Sequence, residues 1–322
     1  MPRPKRKPPS KPPGGQQTPP GILELDRFSA ASLAQWKTLS EDLDELHRVL
    51  YFAIEPERRR LRADLLAACQ GSACKPLQFQ NWVRLVSYTY SLNPLSAAGS
   101  LLNHGGRFNP GAELEEGTLA PSPALYLAEN HETAYREKFQ LATDEHKDGL
   151  SALDLALTPE LSYSAVVLHG SLHRVFDATV EANFQPLARV LARIKMPARA
   201  LQLMKKLRVS ANALHMVKTA KQLHDAVLIN NWRTLPVQFD LPSASQVLSD
   251  LIRAAGYEAI LYPSTKGGGN CLAVFPDQLS DGSFVELSVQ PPHPETMTRL
   301  DAASSEALCG WEILGGSRLK RP

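Results

Sequence analysis

Three side chains in the first half of the chain have the chemistry to act together on a nucleotide. Arg107 lies in "GGRFNP", where two glycines and a proline shape a turn, and its planar guanidinium suits a phosphate or a carboxylate. Tyr126 lies in "ALYLAEN", and Glu137 follows eleven residues later. An anion clamp, an aromatic platform and a carboxylate are what is needed to hold a dinucleotide and to stabilise positive charge at a sugar C1′. Taken singly, each of these residue types is more often an ordinary surface or packing residue. Whether the three form a site therefore depends on whether the fold brings them together.

Secondary-structure patterns put these side chains on separate elements. "NWVRLVSYTY" and "ALYLAEN" are typical of strands, and alternation in the second puts Leu125 and Leu127 on one face and Tyr126 on the other. Asn130 is the predicted N-cap of a helix that carries Glu137. "LSYSAVVLHG" and "LHRVFDAT" predict two paired strands joined by a tight Gly-Ser turn, and "SASQVLSDLIRAAGYEAILYPST" predicts a helix followed by a strand. The mixture favours an α+β fold over a regular βαβ series.

Other segments surround this region. Residues 1–20 are basic and proline-rich and predict a disordered tail. Residues 21–75 predict a helical N-terminal extension in which one helix opens at Ser40. Residues 184–231 predict a helical insertion with nine basic residues against a single acidic one. The basic residues alternate with apolar ones at helical spacing, so a solvated helix face is favoured over a nucleic-acid site.

Composition excludes several classes of protein. The chain has 322 residues, 43% of them hydrophobic, and a net charge of +2, so no global field selects nucleic acid or a membrane. Four cysteines without a C-x-x-C pair predict free thiols in a reducing compartment and no metal site. No apolar run reaches the roughly 18 residues of a membrane helix, and the basic N-terminus lacks the apolar segment of a secretory signal. We therefore expect a cytoplasmic protein.

Other catalytic signatures are not matched. "YPSTKGGGN" lacks the order of a phosphate-binding P-loop and is followed by a strand. Two interpretations of this segment stay open: it is a loop that presents Ser264 and backbone amides to a ligand, or it is a plain connection between two strands. The histidines accompany neither a Gly-x-Ser-x-Gly elbow nor a metal-binding spacing.

Taken together, the motifs resemble the RES-domain family, whose members are typically toxins of bacterial toxin–antitoxin pairs. The resemblance covers about residues 80–290, with a C-terminal extension at 291–322. Phe108 stands where the family usually has tryptophan, and "AELEEGTLAPSP" lengthens the connection between Arg107 and Tyr126. The matching residues are Arg84 in "WVRLV", Arg107 in "GGRFN", Tyr126 in "LYLAE", Glu137 in "ETAYRE" and Ser264 in "GYEAILYPS".

The resemblance implies a fold similar to ADP-ribosylating toxins, a split mixed β-sheet with NAD⁺ in its cleft. Arg107 would hold the diphosphate, and Arg84 would contact phosphate or ribose. Tyr126 would stack on nicotinamide, and Glu137 would stabilise the oxocarbenium-like state as the nicotinamide–ribose bond breaks. Ser264 would hydrogen-bond the nucleotide or orient Glu137. NAD⁺ would be the substrate and no cofactor would be needed.

Three hypotheses follow. The first is an NAD⁺-degrading toxin that passes ADP-ribose to water or inorganic phosphate and is restrained by an antitoxin. The second is a mono-ADP-ribosyltransferase acting on a protein or nucleic acid. The third is a non-enzymatic nucleic-acid-binding or scaffold protein that uses residues 1–12 and 184–231. The sequence leaves homo-oligomerisation open, and neither nucleic acid nor membrane is an expected partner.

Overall fold

The computed structural model describes residues 30–72, 74–140, 162–210, 214–291 and 293–310. The predicted disordered tail at 1–20 lies outside these residues. Within them, no helix is both long and apolar enough to cross a membrane.

Helices and strands alternate irregularly along the described chain. The helices are α1 (Ala30–Arg60), α2 (Arg62–Gln70), α3 (His131–Phe139), α4 (Gln185–Leu191), α5 (Ala198–Leu207), α6 (Ala220–Val227), α7 (Thr234–Phe239), α8 (Ala244–Ala254) and α9 (Ser305–Cys309). The strands are β1 (Cys74–Ser87), β2 (Gly105–Gly106), β3 (Asn109–Pro110), β4 (Leu125–Ala128), β5 (Tyr163–Asp177), β6 (Ala259–Pro263), β7 (Asn270–Val274), β8 (Phe284–Leu287) and β9 (Arg299–Asp301). This is a mixed α+β architecture, as the patterns predicted.

The main sheet curls until its long strands meet. Its order is β1-β4-β7-β6-β5-β8-β9, and β1 also pairs with β5 along most of its length. At Val83 the strand β1 is paired on both sides, with Ala128 of β4 and Val167 of β5. Apart from the parallel pair β5–β6, the neighbouring strands are antiparallel. The strands β1, β4, β7, β6 and β5 therefore form a closed ring, to which β8 and β9 add an edge.

Side chains that alternate along the strands pack into two separate hydrophobic cores, one on each face of the sheet. Leu125 and Leu127 of β4 enter one cluster, which includes residues of β8 and β9. Tyr126 packs against the other, which holds the buried faces of α2, α4, α6 and α8. The prediction that Tyr126 faces away from the two leucines is therefore confirmed.

The predicted Gly-Ser turn between two strands is wrong, because β5 runs without interruption from Tyr163 to Asp177. Gly170 serves close packing there. A Cβ atom at this position would lie 2.6 Å from the ring of Phe79 on β1 and 2.4 Å from the carbonyl oxygen of Phe284 on β8. The glycine thus lets an aromatic side chain lie flat against the strand, which the local pattern cannot distinguish from a turn.

The helix predicted to open at Ser40 begins at Ala30 and continues through Pro56. Packing explains its length, since Leu46 is buried against Leu203 and Met204 of α5. Tertiary contacts of this kind outweigh local start and stop signals.

The acidic side chains of the N-terminal helices neutralise part of the basic insertion. Two bonds join Arg199 to Glu45, at 2.7 and 2.8 Å, and Lys206 lies 2.7 Å from Asp42. Further ion pairs are Arg193 with Asp64 and Lys221 with Asp225. Four of the nine basic residues are therefore paired within the chain, which weakens the case for this block as a nucleic-acid surface.

Candidate active site

The loop that carries Arg107 is a short hairpin organised by Asn109. The amide nitrogen of Asn109 donates to the carbonyl oxygens of Ser100 and Ser122, and its Oδ1 accepts from the Gly106 amide at 3.0 Å. Gln246, fully buried on α8, donates to the carbonyl oxygens of His104, Gly106 and Asn109. Two buried amide side chains thus fix the backbone on either side of Arg107.

Gly106 is needed because Tyr126 and Asn109 crowd its Cα atom. A Cβ there would lie 2.4 Å from the Tyr126 hydroxyl and 2.7 Å from Asn109 Oδ1. We expect Gly106→Ala to lower the free energy of unfolding by about 1–3 kcal/mol, measured by urea denaturation, because the loop must shift to relieve the contact. Gly99→Ala is the matched control, since a Cβ there meets nothing within 4 Å. Equal unfolding midpoints for the two variants would contradict this explanation.

Arg107 is buried and bonded to protein oxygen atoms. Its Nη1 donates to the carbonyl oxygens of Ile229, at 2.8 Å, and Val227, at 3.4 Å, and its Nη2 donates to Thr265 Oγ1 at 2.8 Å. Burial lowers the pKa of Arg107, while Tyr262 and Glu137 act in the opposite direction. The guanidinium therefore ties the end of the basic insertion to the loop after β6.

Tyr126 projects from β4 beneath the same loop. Its hydroxyl donates to Asn109 Oδ1 at 2.8 Å and accepts from the Phe108 amide at 2.9 Å. Burial raises the pKa of Tyr126 well above its usual value, so the phenol stays neutral. The hydroxyl anchors the ring, which lines a cavity beside Arg107 and Glu137.

Glu137 is held by the segment that follows β6. Asn130 caps α3, its Oδ1 accepting from the Thr133 amide at 2.9 Å, as predicted. One carboxylate oxygen of Glu137, Oε1, accepts from Ser264 Oγ at 2.6 Å and from the Thr265 amide at 3.1 Å. The Lys266 amide in turn donates to Ser264 Oγ at 3.1 Å. Within the described part of the chain Oε2 has no hydrogen-bond partner, so this oxygen is left for a ligand.

The structure brings Arg107, Tyr126 and Glu137 together around one cavity of about 230 Å³. These three groups come from the β2–β3 hairpin, from β4 and from α3. Ser264 contributes through its bond to Glu137. Of the two roles considered for Ser264, its position therefore favours orienting the carboxylate.

Arg84 lies apart from these three groups, in an adjoining cavity of about 670 Å³. Its Nη2 donates to the carbonyl oxygen of Ser96 at 2.7 Å, and burial lowers its pKa to about 10. The buried Nη1 has no partner among the described residues. The two cavities share a wall, formed by Leu85, Lys138, Trp232 and Arg233. They are therefore two parts of one cleft.

Several residues that shape this cleft were not predicted from the sequence. Thr265 bridges Glu137 and Arg107, but a hydroxyl in a glycine-rich loop gives no distinctive pattern. Lys138 and the Trp232–Arg233 pair were missed because neither lies in a matched motif, although Lys138 is adjacent to Glu137. Among the described residues, no group of three or more His, Cys, Asp or Glu side chains could hold a metal ion.

Comparisons with known proteins identify the family. The RES domain matches residues 82–295, about two thirds of the chain, and the chain belongs to this family. Among solved structures, a chain of the crystal structure of the M. tuberculosis MbcT–MbcA toxin–antitoxin complex is similar. It is 15% identical with a TM-score of 0.39, and the match covers 76% of this chain and 97% of that one. A comparison with curated proteins finds no match.

Proposed function

We propose that this chain is an NAD⁺-cleaving toxin that breaks the nicotinamide–ribose bond and passes ADP-ribose to water or inorganic phosphate. The observation that carries the proposal is the half-buried carboxylate of Glu137, which shares a cavity with Tyr126 and has one oxygen without a hydrogen-bond partner among the described residues. NAD⁺ is the substrate, and the reaction needs no cofactor. In this proposal the closed sheet presents its cleft as an ADP-ribosyltransferase does.

The proposed reaction requires the protein only to position NAD⁺ and to stabilise the positive charge that develops on its ribose. Nicotinamide leaves as a neutral molecule, so no general acid is required. Positive charge develops at ribose C1′ as the bond breaks, and a carboxylate that accepts a hydrogen bond from the 2′-hydroxyl stabilises it. Ser264 and the Thr265 amide hold Oε1 of Glu137 and leave Oε2 for that hydroxyl. The ring of Tyr126, fixed by Asn109, offers a surface for stacking the nicotinamide.

A chain that destroys NAD⁺ harms its own host unless it is restrained. We therefore propose an antitoxin that covers the mouth of the cleft or the loop 110–123. The proposed setting is the cytoplasm, where NAD⁺ is abundant and where the four cysteines, which are unpaired in the structure, stay reduced.

Incubation of the full chain with NAD⁺, with and without inorganic phosphate, tests the reaction. We expect nicotinamide to be released in at least one of the two conditions, and chromatography measures this release. Label on the adenine would then appear in ADP-ribose if water is the acceptor, and in ADP-ribose phosphate if phosphate is. Absence of nicotinamide release from the correctly folded protein in both conditions would refute the proposal.

The same labelled NAD⁺, added with the protein to a cell extract, distinguishes NAD⁺ degradation from the transferase alternative. If labelled ADP-ribose is retained on a protein or nucleic acid in a cell extract, the chain is a transferase. The ion pairs that Arg193, Arg199 and Lys206 form with α1 and α2 reduce the charge available to recruit an acidic acceptor. This favours the small-molecule acceptors.

A further inference from the structure

The wall between the two cavities holds unpaired positive charge. A dinucleotide has two nucleoside halves joined by a diphosphate, so a molecule that fills both cavities places its diphosphate at their common boundary. Lys138 from α3 and Arg233, just before α7, line both cavities. Trp232 is almost fully buried, and two guanidinium groups lie near its ring centroid, that of Arg233 at 5.3 Å and that of Arg107 at 5.9 Å.

Neither Lys138 nor Arg233 has a carboxylate partner in the described part of the chain. Lys138 Nζ lies 3.2 Å from the neutral hydroxyl of Ser87. Burial lowers the pKa of Lys138, and the positive charge of Arg84 lowers it further. The boundary thus has three cationic groups that form no ion pair in the described part of the chain: Lys138, Arg233 and Arg84 with its unpartnered Nη1. The carboxylates of Glu113 and Glu137 line the two cavities but lie beyond ion-pair distance of these groups. Arrangements of this kind favour a bound anion, since it replaces mutual repulsion with charge-assisted hydrogen bonds.

Arg107, by contrast, already uses both terminal nitrogens of its guanidinium. They donate to Val227, Ile229 and Thr265, and the side chain is only 4% exposed. Three of its five N–H donors are therefore used, and only the second hydrogen of Nη2 and the Nε–H remain for a ligand phosphate. Arg107 is therefore better suited to bracing the wall that carries Trp232 and Arg233 than to gripping the substrate.

We propose that Lys138 and Arg233, assisted by Nη1 of Arg84, form the binding site for the diphosphate of NAD⁺. This inference rests on the proposed function, since it assigns part of the same substrate. One cation comes from the helix that bears Glu137, and the other lies two residues after the helical insertion, just before α7.

Equilibrium binding of ADP and adenosine to the full chain tests this assignment, because neither compound is cleaved at a nicotinamide bond. We expect the wild type to bind ADP at least 10-fold more tightly than adenosine. Lys138→Met and Arg233→Met should each weaken ADP binding by about 10-fold, the effect of losing one charge-assisted contact, and leave adenosine binding unchanged. The salt dependence of ADP binding should also decrease in both variants.

Lys205→Met is the matched control, since Lys205 is exposed on α5, which packs against α1. Its ADP affinity should equal that of the wild type, and thermal melting verifies the fold of each variant. Unchanged ADP binding in the two cleft variants, or equal binding of ADP and adenosine by the wild type, overturns the diphosphate site. Nicotinamide release by the wild type would still uphold the reaction in that case. If ADP binding depends on Lys138 and Arg233 but nicotinamide is not released, the site stands and the proposed reaction fails.

Discussion

Replacing Glu137 by glutamine is expected to lower the rate of NAD⁺ cleavage by about 10²–10³-fold, the usual cost of removing one group that stabilises transition-state charge. Glutamine keeps the size of the side chain, and its Oε1 can still accept from Ser264 and the Thr265 amide. The variant should therefore fold and bind normally. What it loses is the negative charge that the proposed reaction places near ribose C1′, so we expect kcat to fall while the affinity for NAD⁺ stays almost unchanged.

Glu132→Gln is the matched control for this prediction. Glu132 lies on the same helix, is exposed, and pairs with Arg136 at 3.0 Å. Its replacement removes an equal charge from α3 and should leave turnover within about twofold of the wild type, since exposed ion pairs contribute little. Equal nicotinamide release by the two variants would show that the carboxylate of Glu137 plays no part in the reaction.

Ser264→Ala should have a smaller effect than Glu137→Gln. The substitution removes one of the two hydrogen bonds to Oε1, and the Thr265 amide remains. We expect about a 10-fold loss in kcat with little change in KM, because the carboxylate keeps its charge but loses part of its orientation. If Ser264 contacted the nucleotide directly, KM would rise instead. Steady-state nicotinamide release distinguishes the two roles.

Local patterns were sufficient to predict the elements that carry the site. The alternation around Tyr126 and the cap at Asn130 are short-range signals, and both are confirmed. The turn predicted at Gly170 was wrong because a glycine in a turn and a glycine packed against the ring of Phe79 look alike in sequence. The distinction depends on β1, about ninety residues earlier in the chain, so no local window contains it.

The convergence of distant groups could be predicted only in outline. Family motifs indicated Arg107, Tyr126 and Glu137, and the structure places them around one cavity. The bonds from Arg107 to the end of the insertion depend on how α6 packs, which charge patterning does not reveal. Charge patterning predicted a solvated helix face for the basic insertion but not what the insertion packs against. Ion pairs with α1 and α2 show that the two helical regions pack as partners.

Glu258 offers the largest expected effect on stability. Its side chain is 1% exposed and lies between β5 and the loop before β8. The amides of His173, at 2.7 Å, and Arg174, at 3.2 Å, donate to its Oε2. The amide of Ser280 donates to Oε1 at 3.0 Å, and the hydroxyls of Ser280 and Ser283 also donate to the carboxylate. The carboxylate therefore joins β5 to the loop before β8, which are also linked by the His173 amide donating to Ser283 Oγ at 3.2 Å.

Glu258→Gln should lower the free energy of unfolding by about 2–4 kcal/mol at pH 7, because an amide NH₂ would face donors that need an acceptor. Burial by itself would raise the pKa of Glu258, but the bonds from Ser280, Ser283 and the Arg174 amide outweigh it and hold the pKa below its ordinary value of 4.5. The stabilisation is therefore fully present above pH 4.5 and is lost as the pH falls through the lower pKa of the folded state. The difference between wild type and variant should shrink over that range.

Urea denaturation at a series of pH values between about 3 and 7 measures this difference. Glu286→Gln is the control, since Glu286 is a partly exposed carboxylate on β8 that pairs with Arg299 at 2.8 Å. Its replacement should cost about 0–1 kcal/mol. Two outcomes would mean that the buried carboxylate does not stabilise the fold through its charged form. One is equal stability of Glu258→Gln and Glu286→Gln at pH 7. The other is a difference in free energy of unfolding between wild type and Glu258→Gln that grows as the pH falls.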